Sequence, residues 1–195
     1  MQTPMIGIAN NVTKVMENKM VNTFLPHADF IQSAKALDNK RLGKQRVEAW
    51  QILQALLGKT KGWVNHPATR MWRNHEKSLC EYGIAICDEW IARGFNDSMR
   101  ERFVAIHPML PDCELPEWFG VEDFHDSHKS NLKRKNPDYY NFNVSDSLPY
   151  LWCNELLRID NVNENNKRFK LTLLKFKLGN SRSFVLRINK QEIQP

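Results

Sequence analysis

The feature that most constrains this chain is an apolar stripe, Trp72, Leu79, Tyr82, Ile86 and Trp90, framed by His66-Pro67 on one side and Arg93-Gly94 on the other. The spacing is helical, proline fits the first position of a helix, and glycine offers the left-handed stop, so the pattern predicts one helix from near His66 to Arg93. At about 1.5 Å per residue that helix would be about 40 Å long and form the spine of a domain. Before it, Asp38 or Asn39 can cap a second helix. Its apolar positions Leu42, Ala49, Trp50, Leu53 and Leu57 recur at helical intervals up to Gly58, and its opposite face carries Arg41, Lys44, Glu48 and Gln51. A short helix from Asp29 to Leu37 precedes both. Pro108, Pro111 and Pro116 mark an irregular connection after the spine, and a polar, basic helix follows from about Ser127 to Lys135, ended by Asn136-Pro137 and the aromatic run DYYNF.

The C-terminal stretch has a different period. Phe169, Leu171 and Leu173 alternate with polar residues, the phase slips to Leu174, Phe176 and Leu178, and alternation resumes at Phe184, Leu186 and Ile188 after Gly179-Asn180. This predicts a bulged β-hairpin, with Lys170, Lys175, Lys177 and Arg187 as its basic rows. With 195 residues, 42% of them hydrophobic, the chain has material for one core and an appendage. The expected fold is therefore mainly α: a compact helical domain over residues 21–158, a C-terminal β-hairpin over 159–195, and a leader over 1–20 to which no fold is assigned. No membrane span or secretory signal is recognisable, so a soluble cytoplasmic protein is expected, most simply a monomer. Cys80, Cys87, Cys113 and Cys153 form no CxxC pair and read as reduced packing residues.

The net charge is +6, and every charged residue from Lys167 to Lys190 is basic. A localised basic segment suggests a polyanionic partner, most often nucleic acid. Metal chemistry has little support: His125 and His128 could share a helical face behind Cys113, but no further ligand stands at a recognisable spacing, and His75-Glu76 lacks the second histidine of HExxH. Neither a metal nor a cofactor is expected. Glu48 stands out as the one carboxylate on a helix face otherwise composed of Lys40, Arg41, Lys44 and Arg46. It reads either as half of a solvated Lys44–Glu48 pair or as an acid/base residue on a phosphate-binding face. Spacing alone does not choose between them.

Two segments resemble a known family. HPATRMWRNHEKSLCEYGIAICDEWIARGF carries the initial histidine, amphipathic centre and closing RGF of the pyrimidine-dimer DNA glycosylase/AP lyase group, the endonuclease V of phage and its bacterial relatives. LDNKRLGKQRVEA places Leu37, Leu42 and Glu48 at the spacing of that family's two leucines and catalytic glutamate. A third likeness, SHKSNLKRKNPDYY, is similar to its C-terminal DNA-contacting helix. Where the family has arginines just before the glutamate and three residues after it, this chain has Val47 and Gln51.

The resemblance implies a compact helical domain of the endonuclease V type that binds damaged double-stranded DNA, kinks it and extrudes a base. Its nucleophile would be the chain's own α-amine, which titrates near about 7.7–8.0 against about 10.4 for lysine and so is far richer in the attacking neutral form. Met20 precedes the small Val21, and the codons open to Met16–Lys19 include a purine-rich ribosome-binding sequence, so a start at Met20 followed by methionine removal would leave that amine on Val21. The implied catalytic pair is Val21 and Glu48. The implied phosphate contacts are Lys40, Arg41, Lys44, Arg46, Arg70, Arg73, Lys129, Lys133, Arg134 and Lys135, with Tyr139 and Tyr140 as base-stacking candidates. Two alternatives share the surface: a catalytically silent DNA-binding protein, and a glycosylase for another modified base.

Overall fold

The computed structural model describes residues 21–164, 167–178 and 182–192, with side chains as far as Cys153 and at Lys175. The leader over residues 1–20 and the expected turn at Gly179-Asn180 lie outside the described residues. The body is a helical cluster: α1 (Phe30–Ala36), α2 (Asn39–Leu56), α3 (Pro67–Met71), α4 (Glu76–Ala92), α5 (Arg100–Ile106) with a short 3-10 turn at His107–Met109, and α6 (Glu122–Lys135). Among the described residues no helix is long and apolar enough to cross a membrane.

Local chemistry sets the helix boundaries. Asp29 caps α1 through the Gln32 N–H, and Asp38 caps α2 through the Arg41 N–H. Gly58 and Gly94, just beyond α2 and α4, take φ of 68° and 85°, the left-handed turn expected of each. The expected single spine is in fact two helices. The chain leaves the helix at Trp72, Asn74 adopts φ 67°, and α4 starts afresh at Glu76. Asn tolerates that conformation, the Glu76 carboxylate accepts its N–H at 3.1 Å, and the indole N–H of Trp118 takes up the Met71 carbonyl at 3.0 Å. The apolar period survives the break because Trp72 and Leu79 both face the core from separate helices, so periodicity alone could not reveal it.

The core gathers Leu25, Leu37, Leu42, Ile52, Leu53, Trp72, Leu79, Tyr82, Ile86, Phe103 and Phe124, all fully buried. Gly83 lets α5 approach α4: a Cβ there would stand 2.5 Å from the Phe103 ring. The connection after α4, expected to be irregular, holds α5, and α6 begins at Glu122 rather than near Ser127.

The C-terminal strands form an antiparallel sheet in the order β1-β2-β3, with β1 (Trp152–Glu164), β2 (Lys167–Leu178) and β3 (Arg182–Glu192), one strand more than the expected hairpin. The β2–β3 register changes between Thr172 and Leu173, one residue from the phase slip in the sequence. β1 starts against the helical body, where the Trp152 ring meets His66 edge-on at 6.2 Å and Ser127 Oγ accepts the Leu151 N–H at 3.3 Å.

Candidate active site and nucleic-acid interface

Residues 21–25 run extended into the middle of the helical body, and side chains from several elements bind their backbone. The Phe24 N–H donates to Gln45 Oε1 on α2 at 2.9 Å, and the Phe24 carbonyl accepts the Tyr82 hydroxyl of α4 at 3.1 Å. The Leu25 N–H donates to His128 Nδ1 at 3.0 Å, while its carbonyl accepts from His125 Nδ1 at 2.8 Å, so two histidines of α6 hold the two peptide groups that flank one residue. Thr23 Oγ1 accepts the Trp72 indole at 3.0 Å, and Asn22 Oδ1 accepts the Tyr150 hydroxyl at 2.6 Å. Burial holds His128 well below the usual histidine range, and it depresses His125 as well, which keeps both rings in the neutral form that these hydrogen bonds require. His125 and His128 are thus structural clamps, and among the described residues no three His, Cys, Asp or Glu side chains converge on a common point.

Glu48 lies where this segment enters. It is 6% exposed, so it is not the solvated half of a surface pair. Gln45 Nε2 donates to its carboxylate at 2.7 Å, Lys44 Nζ stands 3.3 Å away, and the Asn22 backbone N–H also points at it. Burial raises the Glu48 pKa above the ordinary carboxylate range, against the opposing pull of Lys44 and the Asn22 and Gln45 hydrogen bonds. The same environment pushes the Tyr82 and Tyr150 hydroxyls up, so both stay protonated donors beside it. The arrangement is chemically specific. A carboxylate that holds its proton more tightly than usual faces the backbone N–H of Asn22, the residue that follows Val21, with Lys44 alongside.

Val21 is itself buried, 2% exposed. Gln45, Asn22 and Tyr150 were not singled out in the sequence, and Tyr82 was read only as part of the apolar stripe. For Gln45 there was a signal: it stands three residues before Glu48, hence on the same helical face.

The expected cations separate into groups. Lys44 reaches the Glu48 carboxylate, and Lys40 is exposed on the first turn of α2. Arg41 pairs with Asp38 at 2.8 Å and donates to the Lys135 carbonyl at 2.8 Å, joining the start of α2 to the end of α6. Arg46 points elsewhere, pairing with the buried Asp97 carboxylate and lying over the Trp90 ring at 4.2 Å. On α6, Lys129 pairs with Asp126 at 2.8 Å and Lys133 donates to the Val144 carbonyl at 2.7 Å. Arg134 donates to Ser130 Oγ at 2.7 Å, to the Leu148 carbonyl at 2.8 Å and to the Asp146 carbonyl. Tyr140 is buried, its hydroxyl donating to Asp38 Oδ2 at 2.9 Å, so its ring is part of the core; Tyr139 is half exposed. Arg70 and Arg73 are exposed on and just after α3, and neither forms an ion pair among the described residues.

Residues 21–102 match the model of a family described as pyrimidine dimer DNA glycosylase. The matched stretch holds Val21, Glu48, Gln45, Arg70 and Arg73, and stops before α6. No curated protein and no solved structure matches the chain.

Proposed function

We propose that this protein is a DNA N-glycosylase with AP lyase activity on damaged duplex DNA, pyrimidine dimers foremost, working through an imine formed by the α-amine of Val21. The observation that carries the reading is the buried Glu48 carboxylate, its pKa raised by burial, beside the backbone N–H of Asn22 at the start of a segment that matches the glycosylase family. The nitrogen of Val21 is a peptide nitrogen while Met20 remains attached, so the active form begins at Val21.

In that form the neutral amine attacks the anomeric carbon of the damaged nucleotide. The new C–N bond forms as the glycosidic bond breaks, and the base leaves with the bonding pair and a proton. One proton of the attacking nitrogen goes to the departing base, and Glu48 takes the other and passes it to O4′ as the sugar ring opens to the imine; its raised pKa makes it a better acceptor than an ordinary surface carboxylate. Loss of a C2′ proton then expels the 3′ phosphate by β-elimination and breaks the strand. Lys44 shares the entrance with Glu48, disfavours a protonated amine and attracts the backbone phosphates. Gln45 holds both Glu48 and the Phe24 backbone, fixing acid and nucleophile to one side chain.

Borohydride trapping tests the reading. A form beginning at Val21, incubated with dimer-containing or abasic duplex, is expected to give a covalent adduct. In this form Glu48→Gln is expected to lower strand cleavage by about a hundredfold or more while duplex binding persists. No adduct from the Val21 form would leave only DNA binding, and full cleavage by the Glu48→Gln variant would remove Glu48 from the chemistry.

A further inference from the structure

The α2–α3 connection carries a side chain that the chemistry above does not use. Trp63 is 38% exposed, and its backbone takes φ 64°, a conformation that a bulky residue adopts at a cost. A core tryptophan would repay that strain by burial, yet this one holds its ring at the surface. Two exposed lysines, Lys59 and Lys61, precede it, and the exposed Arg70 and Arg73 follow. No acidic residue occurs from Ala49 to His75, and none of these four cations forms an ion pair among the described residues. The ring is also braced from behind. Trp63 meets His66 edge-on at 5.5 Å, His66 meets Trp152 at 6.2 Å, and Trp152 meets Tyr150 at 4.7 Å. Tyr150 donates to Asn22 beside Glu48, so a continuous line of rings joins the exposed indole to the candidate active site.

We propose that the connection over residues 58–65 is a DNA-inserting finger: Lys59 and Lys61 seat on phosphates, and the Trp63 indole enters the duplex at a base step near the lesion and stacks there. A flat ring fixed by its neighbours suits this task, because an unstacked base recovers its lost contact on an aromatic face with little further ordering. A lesion that already weakens stacking makes the step easier to open, which ties the finger to damaged rather than intact duplex. The inference rests on the DNA-binding half of the proposed function and not on the imine chemistry.

The test uses the full chain and the Val21 form with paired duplexes, one holding a thymine cyclobutane dimer and one intact, each carrying a fluorescent adenine analogue whose emission rises on unstacking. Affinity, emission and strand cleavage are read together. Wild-type protein is expected to raise the emission on the dimer duplex, Trp63→Ala to abolish that rise and weaken binding roughly tenfold or more, and Trp63→Phe to retain most of both. Trp63→Gly is expected to lose the emission signal with no fall in the unfolding midpoint, since glycine accepts the left-handed backbone, which separates insertion from folding. A Trp63→Ala protein that binds and unstacks like wild type overturns the finger, as does a wild type that binds duplex without any rise or fails to bind it. Emission that rises without strand cleavage by the Val21 form removes the glycosylase and leaves the finger. Cleavage that persists with emission unchanged in Trp63→Ala removes the finger and leaves the glycosylase.

Discussion

Two parts of the molecule carry basic side chains in similar density, and they use them in opposite ways. On α6 the cations are spent within the fold: Lys129 on Asp126, Lys133 on the Val144 carbonyl, and Arg134 on Ser130, Asp146 and Leu148, which hold the chain after α6 in place. Between α2 and α4, Lys59, Lys61, Arg70 and Arg73 stand exposed with no carboxylate partner among the described residues. Adjacency in the sequence, with Lys133, Arg134 and Lys135 consecutive, would rank α6 first as a polyanion surface. We propose that engagement by local partners reverses that ranking, because a side chain holding a carbonyl reaches a phosphate with fewer free N–H donors and less freedom to move.

Substitutions can break this contrast or sharpen it. The largest effect is expected in the interior, where Gln45 ties the Phe24 backbone, Glu48 and Tyr82 together. Gln45→Ala strips the acceptor from the Phe24 N–H and the donor from Glu48, and should cost about 3 kcal/mol in urea unfolding. A loss near zero would mean that the Phe24 backbone is not held as described. Arg134→Ala is expected to cost about 1 kcal/mol, reduced by its solvent exposure, while leaving the salt dependence of duplex binding as it was. If the salt slope falls instead, α6 belongs to the interface after all. The smallest change in stability, within about 0.5 kcal/mol, is expected for Arg70→Gln combined with Arg73→Gln. That double variant should nevertheless flatten the plot of log affinity against log salt by about 2, roughly one unit for each lost phosphate contact. An unchanged slope would erase the difference between the two regions.

Much of the helical body was legible in the sequence because caps and glycines act over a few residues. Asp29, Asp38, Gly58 and Gly94 terminate their helices as local rules require. The break at Asn74 was hidden because both halves of the spine keep their apolar residues inward, and α5 was hidden because three prolines dominated its neighbourhood. Glu48 was visible as a lone carboxylate among cations, but its burial was not. That depends on Asn22 and Tyr150 arriving from distant positions beside the α2 face that carries Gln45 and Glu48, and long-range convergence leaves no periodic trace. The local engagement of the α6 cations was hidden for a related reason: their carbonyl partners belong to a loop whose course no sequence rule supplies.

The threading of residues 23–25 has a consequence for isotope exchange. These residues belong to no helix and no ladder, and by secondary structure alone their amides would be counted among the fast exchangers. Two of these amides are instead bound by side chains rooted in different helices, the Phe24 N–H by Gln45 of α2 and the Leu25 N–H by His128 of α6. Their deuterium uptake should therefore keep pace with the slowest amides of α2 and α4, opening only when the whole body opens.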